Sequence, residues 1–145
     1  MRLAIFFLSF ICCQVLADTP NFVRFVRNDG QWEKDVRFKA ELPNGHLYLK
    51  DNALHYVFYD GSVIAARHTA STAATIPSKM AIHGVVVHLE GANPHPTLLT
   101  KQESEEKRNY FLGNVPSQWA TNVPAFGEVI YKNIYPGIDL RLYTY

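Results

Sequence analysis

An all-β domain of antiparallel, sandwich-like architecture, truncated at its C-terminal end, is the fold class the sequence predicts. Three observations predict it. Short segments alternate apolar and polar residues with period two, turn dipeptides separate them, and no long stretch carries a convincing helical period. A chain of 145 residues that is 48% hydrophobic and 19% charged suits one modest globular domain and excludes a disordered one.

Met1-Arg2 is a short positive start, Leu3 to Ile11 is an almost unbroken apolar run, and Val15-Leu16-Ala17 ends in a small residue. This is the pattern of a secretory signal peptide over 1–17, with residues 18–145 as the mature domain. The apolar run is shorter than the roughly 20 residues a spanning helix needs, so no membrane span is expected in the mature chain. Cys12 and Cys13 both lie in the signal and would leave with it, so the expected product has no disulfide and no thiol ligand. Its location is expected to be secreted or cell-surface.

Val36, Phe38, Ala40 and Leu42 alternate with Arg37, Lys39 and Glu41, as in a strand with one buried and one wet face. Pro43-Asn44-Gly45 turns it, with Gly45 expected to take the positive φ of a tight hairpin, and His46 to Lys50 returns. Ala53 to Tyr59 makes a third strand, ended by Asp60-Gly61. Residues 67–81, rich in Ala, Ser and Thr, read as a long surface loop. Ile82 to Glu90 is a strand stopped by Pro94 and Pro96, and Gln102 to Arg108 reads as a solvated connector. Asn109 to Leu112 is a short strand and Pro116 to Trp119 a single helical turn. Glu128 to Ile134 and Ile138 to Tyr143 form a last pair around Tyr135-Pro136-Gly137, a type II turn signal. The strand pattern runs to Tyr145 without a closing turn, hence the expectation of a fragment.

Chemistry is sparse. His46, His55, His68, His83, His88 and His95 form no His-x-His or His-x-x-x-His pair, so no metal is expected. No serine stands in a Gly-x-Ser-x-Gly elbow, and no glycine-rich phosphate loop occurs, so no catalytic residue and no cofactor is expected. With 14 basic against 13 acidic residues there is no excess for nucleic acid to recognise. Aromatic residues are the enriched class at 13%. Tyr48, Tyr143 and Tyr145 stand opposite the aliphatic face of their strands and are the candidate ligand-facing rings, for surface glycans or other cell-surface proteins. Trp32, Gly45, Trp119, Pro136 and Gly137 are the candidate fold-specifying residues, with both tryptophans expected in the core.

Several blocks in order carry a resemblance. They are Phe25 to Trp32, Phe38 to Gly45, Gly91-Ala92-Asn93-Pro94, Asn109 to Asn114, Trp119, Asn122 to Phe126 and Tyr131 to Leu140. From about Asn21 onward the chain resembles an N-terminal β-rich domain of unknown function, DUF7948-like, of Bacteroidota secreted multidomain proteins. Val85 and Val115 depart from that pattern. The resemblance implies a non-catalytic exported domain that precedes SBBP repeats, PKD modules and a gliding-motility or type IX sorting domain. Its implied partners are the downstream domains of the same chain, and its implied role is structural or adhesive. The alternatives are a carbohydrate-binding module or the non-catalytic part of a secreted hydrolase.

Overall fold

The computed structural model describes residues 23–69 and 79–144; the proposed signal segment and Tyr145 lie outside the described residues. Strands are β1 (Phe25–Arg27), β2 (Phe38–Leu42), β3 (Gly45–Leu49), β4 (Ala53–Tyr59), β5 (Ile82–His88), β6 (Thr97–Glu103), β7 (Arg108–Tyr110), β8 (Ala120–Val123), β9 (Ala125–Tyr135) and β10 (Ile138–Tyr143), with an α-helix, α1 (Gly61–Thr69), and the expected helical turn present as a 3-10 turn at Pro116–Gln118. Every strand pairing is antiparallel. The fold is all-β.

Eight strands make one curled sheet in the order β10-β9-β1-β2-β3-β4-β5, with β6 against the other edge of β9, while β7 and β8 pair separately. β9 is the pivot. Its first two residues pair with β1, whereas Glu128 to Tyr135 pair with β10. The change of partner falls at Gly127, where a Cβ would collide with the Gln102 side chain and stand 3.0 Å from an Arg24 nitrogen. A residue without a side chain lets the strand leave one layer and enter the next.

The curl closes on a core drawn from both parts of the sheet. Phe25, Phe38, Ala40, Leu47, Leu49 and Leu54 come from β1 to β4, and Phe126, Val129, Tyr131 and Ile134 from β9. Phe38 meets Phe126 edge to face at 6.2 Å between ring centres. The Tyr131 hydroxyl donates to the Lys50 carbonyl at 2.9 Å, so even the polar end of this buried ring is satisfied. A second cluster of Val26, Ala120, Val123 and Ala125 lies on the other face of β1, with Trp32 and Tyr110 packed against it.

The expected hairpin forms with Leu42 opposite Gly45. Its glycine has another cause than the one expected. Gly45 does not adopt a positive φ; a Cβ there would run into the carbonyl of Val57 on β4. Close approach of the neighbouring strand, not turn geometry, excludes a side chain. Gly45→Ala is therefore expected to cost about 1–3 kcal/mol by overpacking. An unchanged denaturation midpoint would show that β4 gives way freely. Gly137 does take a positive φ, 75°, after Pro136.

Three further differences have physical reasons. Residues Gly61–Thr69 are helical where a turn and the start of a loop were expected. Asp60 caps the helix, its carboxylate accepting from the Ser62 backbone N–H at 2.9 Å and hydroxyl at 2.6 Å. Val63 is buried, and nine residues of this composition carry too little apolar periodicity to announce a helix. The rest of the expected loop, 70–78, lies outside the described residues. Thr97–Glu103 is a strand that went unread, and its Gln102 and Glu103, with Arg108 at the start of β7, correct the expected connector over Gln102 to Arg108; β6 is an edge strand with Leu99 44% exposed, and its sequence lacks a clean apolar alternation. Trp119 is not in the core. It is 41% exposed, its ring edge-on to Phe111 and its N–H donating to the Gly113 carbonyl at 3.3 Å.

Candidate functional site

Residues 28–37 join β1 to β2 and form the most elaborately bonded loop among the described residues. Asn28 organises it. Its amide nitrogen donates to the carbonyls of Glu33 and Val36, both at 2.8 Å, and of Trp32 at 3.5 Å. Its oxygen accepts from the N–H groups of Gly30 at 3.1 Å and Trp32 at 3.2 Å. Gln31, 7% exposed, donates to the Arg27 carbonyl and accepts from the Asp29 N–H. Gly30 supplies the positive φ, 110°, that the bend between them requires. Side chains thus replace the ladder bonds that this irregular backbone lacks.

The loop walls a cleft of about 770 Å³. Its apolar lining comes from Trp32, Val36, Phe38 and Phe126, joined by Leu98 and Thr100 of β6. Charged groups sit on the rim. Arg27 forks onto Asp29 at 2.6 and 2.9 Å, and Arg37 forks onto Asp51 at 2.8 Å in both bonds. Each carboxylate pushes its guanidinium further above its already high value. Lys34 and Glu33 complete the rim.

The expected ligand-facing tyrosines are not gathered there. Tyr48 lies on the outer face of β3, beside a row that starts at Trp32. Lys39 Nζ stands 5.5 Å from the centre of the Trp32 ring and 5.8 Å from that of Tyr48. The His46 ring then meets Tyr48 and Tyr59 edge-on at 6.2 and 5.5 Å. Tyr143 stands on β10, separated from β3 in strand order by β9, β1 and β2. The Arg141 guanidinium covers its ring at 4.4 Å and also donates to Glu128 at 2.7 Å. Tyr145 lies outside the described residues.

Ionisable groups on these faces bear on stability more than on chemistry. Burial holds His46 below its ordinary 6.5, helped by Lys39, and its Nδ1 is buried without a hydrogen-bond partner. Burial does the same to His55, helped by Lys50. The hydrogen bond from Arg141 holds the Glu128 carboxyl below its usual range, and Lys50 and Lys132 do so for Asp35 and Asp139. In every case the folded pKa is depressed, so the unfolded chain binds more protons and stability falls as pH falls. We expect the denaturation midpoint to drop first as pH falls below about 6.5, from the histidines, and again below about 4.5, from the carboxylates. His46→Gln is expected to shrink the first drop. A midpoint that rises between pH 7 and 5 would contradict the assignment.

Among the described residues no three His, Cys, Asp or Glu side chains gather as metal ligands, and no helix is long and apolar enough to cross a membrane. Sequence reading missed the cleft. Asn28-Asp29-Gly30 reads as a turn from its residue types, but Leu98 and Thr100 arrive from a strand that the sequence concealed.

Comparison with curated proteins and with solved structures returned no match. A family model described as a domain of unknown function, DUF7948, matches residues 25–145, from β1 to the last residue given. That span takes in the loop, the cleft and all ten strands, and on it the chain belongs to the DUF7948 family.

Proposed function

We propose that the chain is a non-catalytic module of an exported protein, placed ahead of further domains and acting by contact in a structural or adhesive role. One observation carries most weight. All seven residues of β5, Ile82–His88, are exposed, and among the described residues the strand pairs with β4 alone. Ile82 is 65% exposed and Val86 47%, which is an apolar edge of the kind that soluble monomers normally blunt with charge or proline. The segment has neither. The polar groups that the fold concentrates, Asn28, Gln31 and Glu128, are occupied in holding backbone or pairing strands, which supports contact over catalysis. The charged start and apolar run of residues 1–17 support export.

Beads coated with the purified protein test this reading. Under flow they are expected to be retained on the surface of intact cells, with retention reduced by Val86→Lys, which places a charge on the outer face of β5. Retention no greater than that of albumin-coated beads would contradict a contact role.

A further inference from the structure

We infer that the cleft beneath the 28–37 loop is a subsite for a neutral carbohydrate. The inference deepens the contact reading and rests on it, since it names the class of molecule contacted.

Three features select this ligand. The first is the fixed pairing of donors and acceptors. Each arginine fork uses two of the five guanidinium N–H groups and leaves the others held in one orientation, while the partner carboxylate keeps free lone pairs. The hydroxyls of a sugar donate and accept at once, and such side-by-side pairs match them. The forks are reachable, with Arg27 and Arg37 side chains 50% and 47% exposed. The second is charge. Arg27, Lys34 and Arg37 are balanced by Asp29, Glu33 and Asp51, so an anion gains no net field and a neutral polyol meets no desolvated surplus charge. The third is the apolar wall of Trp32, Leu98 and Phe126, against which the C–H face of a sugar ring can lie.

Size and stiffness agree. A cleft of about 770 Å³ falls within the roughly 300–1,000 Å³ of small-ligand sites. The loop is already ordered by seven side-chain hydrogen bonds from Asn28 and Gln31, so little freedom remains to be lost on binding.

The test uses the full chain carrying Trp119→Phe, which leaves Trp32 as the single fluorescent indole, since the sequence has two tryptophans. Cellotriose, chitotriose, maltotriose and mannotriose are titrated in turn, with dextran sulfate and dodecanoate as anionic comparisons. One neutral trisaccharide is expected to shift Trp32 emission saturably, and Arg37→Met is expected to weaken it by about tenfold or more. Lys34→Ala, on the exposed rim, is expected to weaken it as well, with the denaturation midpoint unchanged. No response to any trisaccharide overturns the inference, as does binding insensitive to both substitutions or confined to dextran sulfate or dodecanoate. Beads that still adhere while no trisaccharide binds would remove the subsite and leave the contact role standing. A trisaccharide that binds and is recovered cleaved would keep the subsite and remove the non-catalytic reading.

Discussion

Leu49→Ala is expected to cost about 3–5 kcal/mol. Leu49 has no exposed surface and belongs to the main cluster with Phe38, Leu54, Phe126 and Tyr131. On β3 it stands opposite Phe38 on one side and Leu54 on the other, so three strands meet at its side chain. The cavity would open where the two parts of the curled sheet touch. Neighbours on paired strands are pinned by their ladders and can collapse into it only in part, which places the expected value in the upper range for such truncations. Leu112→Ala serves as the comparison, because Leu112 is 47% exposed and should stay within about 0.5 kcal/mol. Chemical denaturation of both variants checks the pair. A Leu49→Ala loss below about 1 kcal/mol would mean that the two parts of the sheet do not pack as described.

Asn28→Ala is expected to cost about 2–3 kcal/mol, more than the roughly 1 kcal/mol of an ordinary hydrogen bond. Five bonds converge on this one amide, and the Trp32 and Val36 carbonyls and two N–H groups would lose this partner together, while the Glu33 carbonyl keeps the Val36 N–H at 3.0 Å. Part of the loop is exposed, so water can replace some of them, and this keeps the figure well under the sum of five. The consequence reaches the cleft. Without the Asn28 side chain the Glu33 to Val36 turn loses its side-chain tie to the end of β1, while the Arg37 backbone stays held by its bonds to the residue 28 N–H and the Leu49 carbonyl. Asn28→Asp separates the two halves of the role, since it keeps the acceptor for Gly30 and Trp32 and loses every donor. It is expected to be destabilised as well, with a carboxylate set against the Glu33 and Val36 carbonyls. Amide hydrogen exchange over 29–37 that is unchanged in Asn28→Ala would remove Asn28 as the organiser of the loop.

The strands that were legible in the sequence are those with one wet and one dry face. β2, β3 and β10 alternate cleanly because the curl buries one side of them, and the Pro136-Gly137 turn is readable because it needs a positive φ that glycine supplies. β6 was not legible. Its two adjacent leucines point to opposite faces, and an edge position lets Leu99 remain exposed. Helix α1 was hidden for a related reason: its sequence carries no clear apolar stripe, so its cap at Asp60 was a stronger signal than its periodicity. Gly45 shows a limit of local reading, since its cause is a carbonyl on β4, twelve residues away. The cleft has the same origin. Arg27 and its neighbour Asp29 are visible as a local charge pair in the sequence, but Asp51, which holds Arg37, and the β6 wall are brought there by the pairing of β2 with β3 and of β6 with β9. Tyr48 and Tyr143 could be placed on outer faces by alternation alone, whereas the number of strands between them could not.

The central claim, that this domain is an exported module working by contact within a larger protein, is tested most directly by the intact mass and N-terminal sequence of the native product. The expected product lies outside the cytoplasm, begins at Asp18 and is much heavier than residues 18–145 alone. A product retained inside the cell with Met1 at its start, or an exported one whose mass matches 18–145, would contradict it.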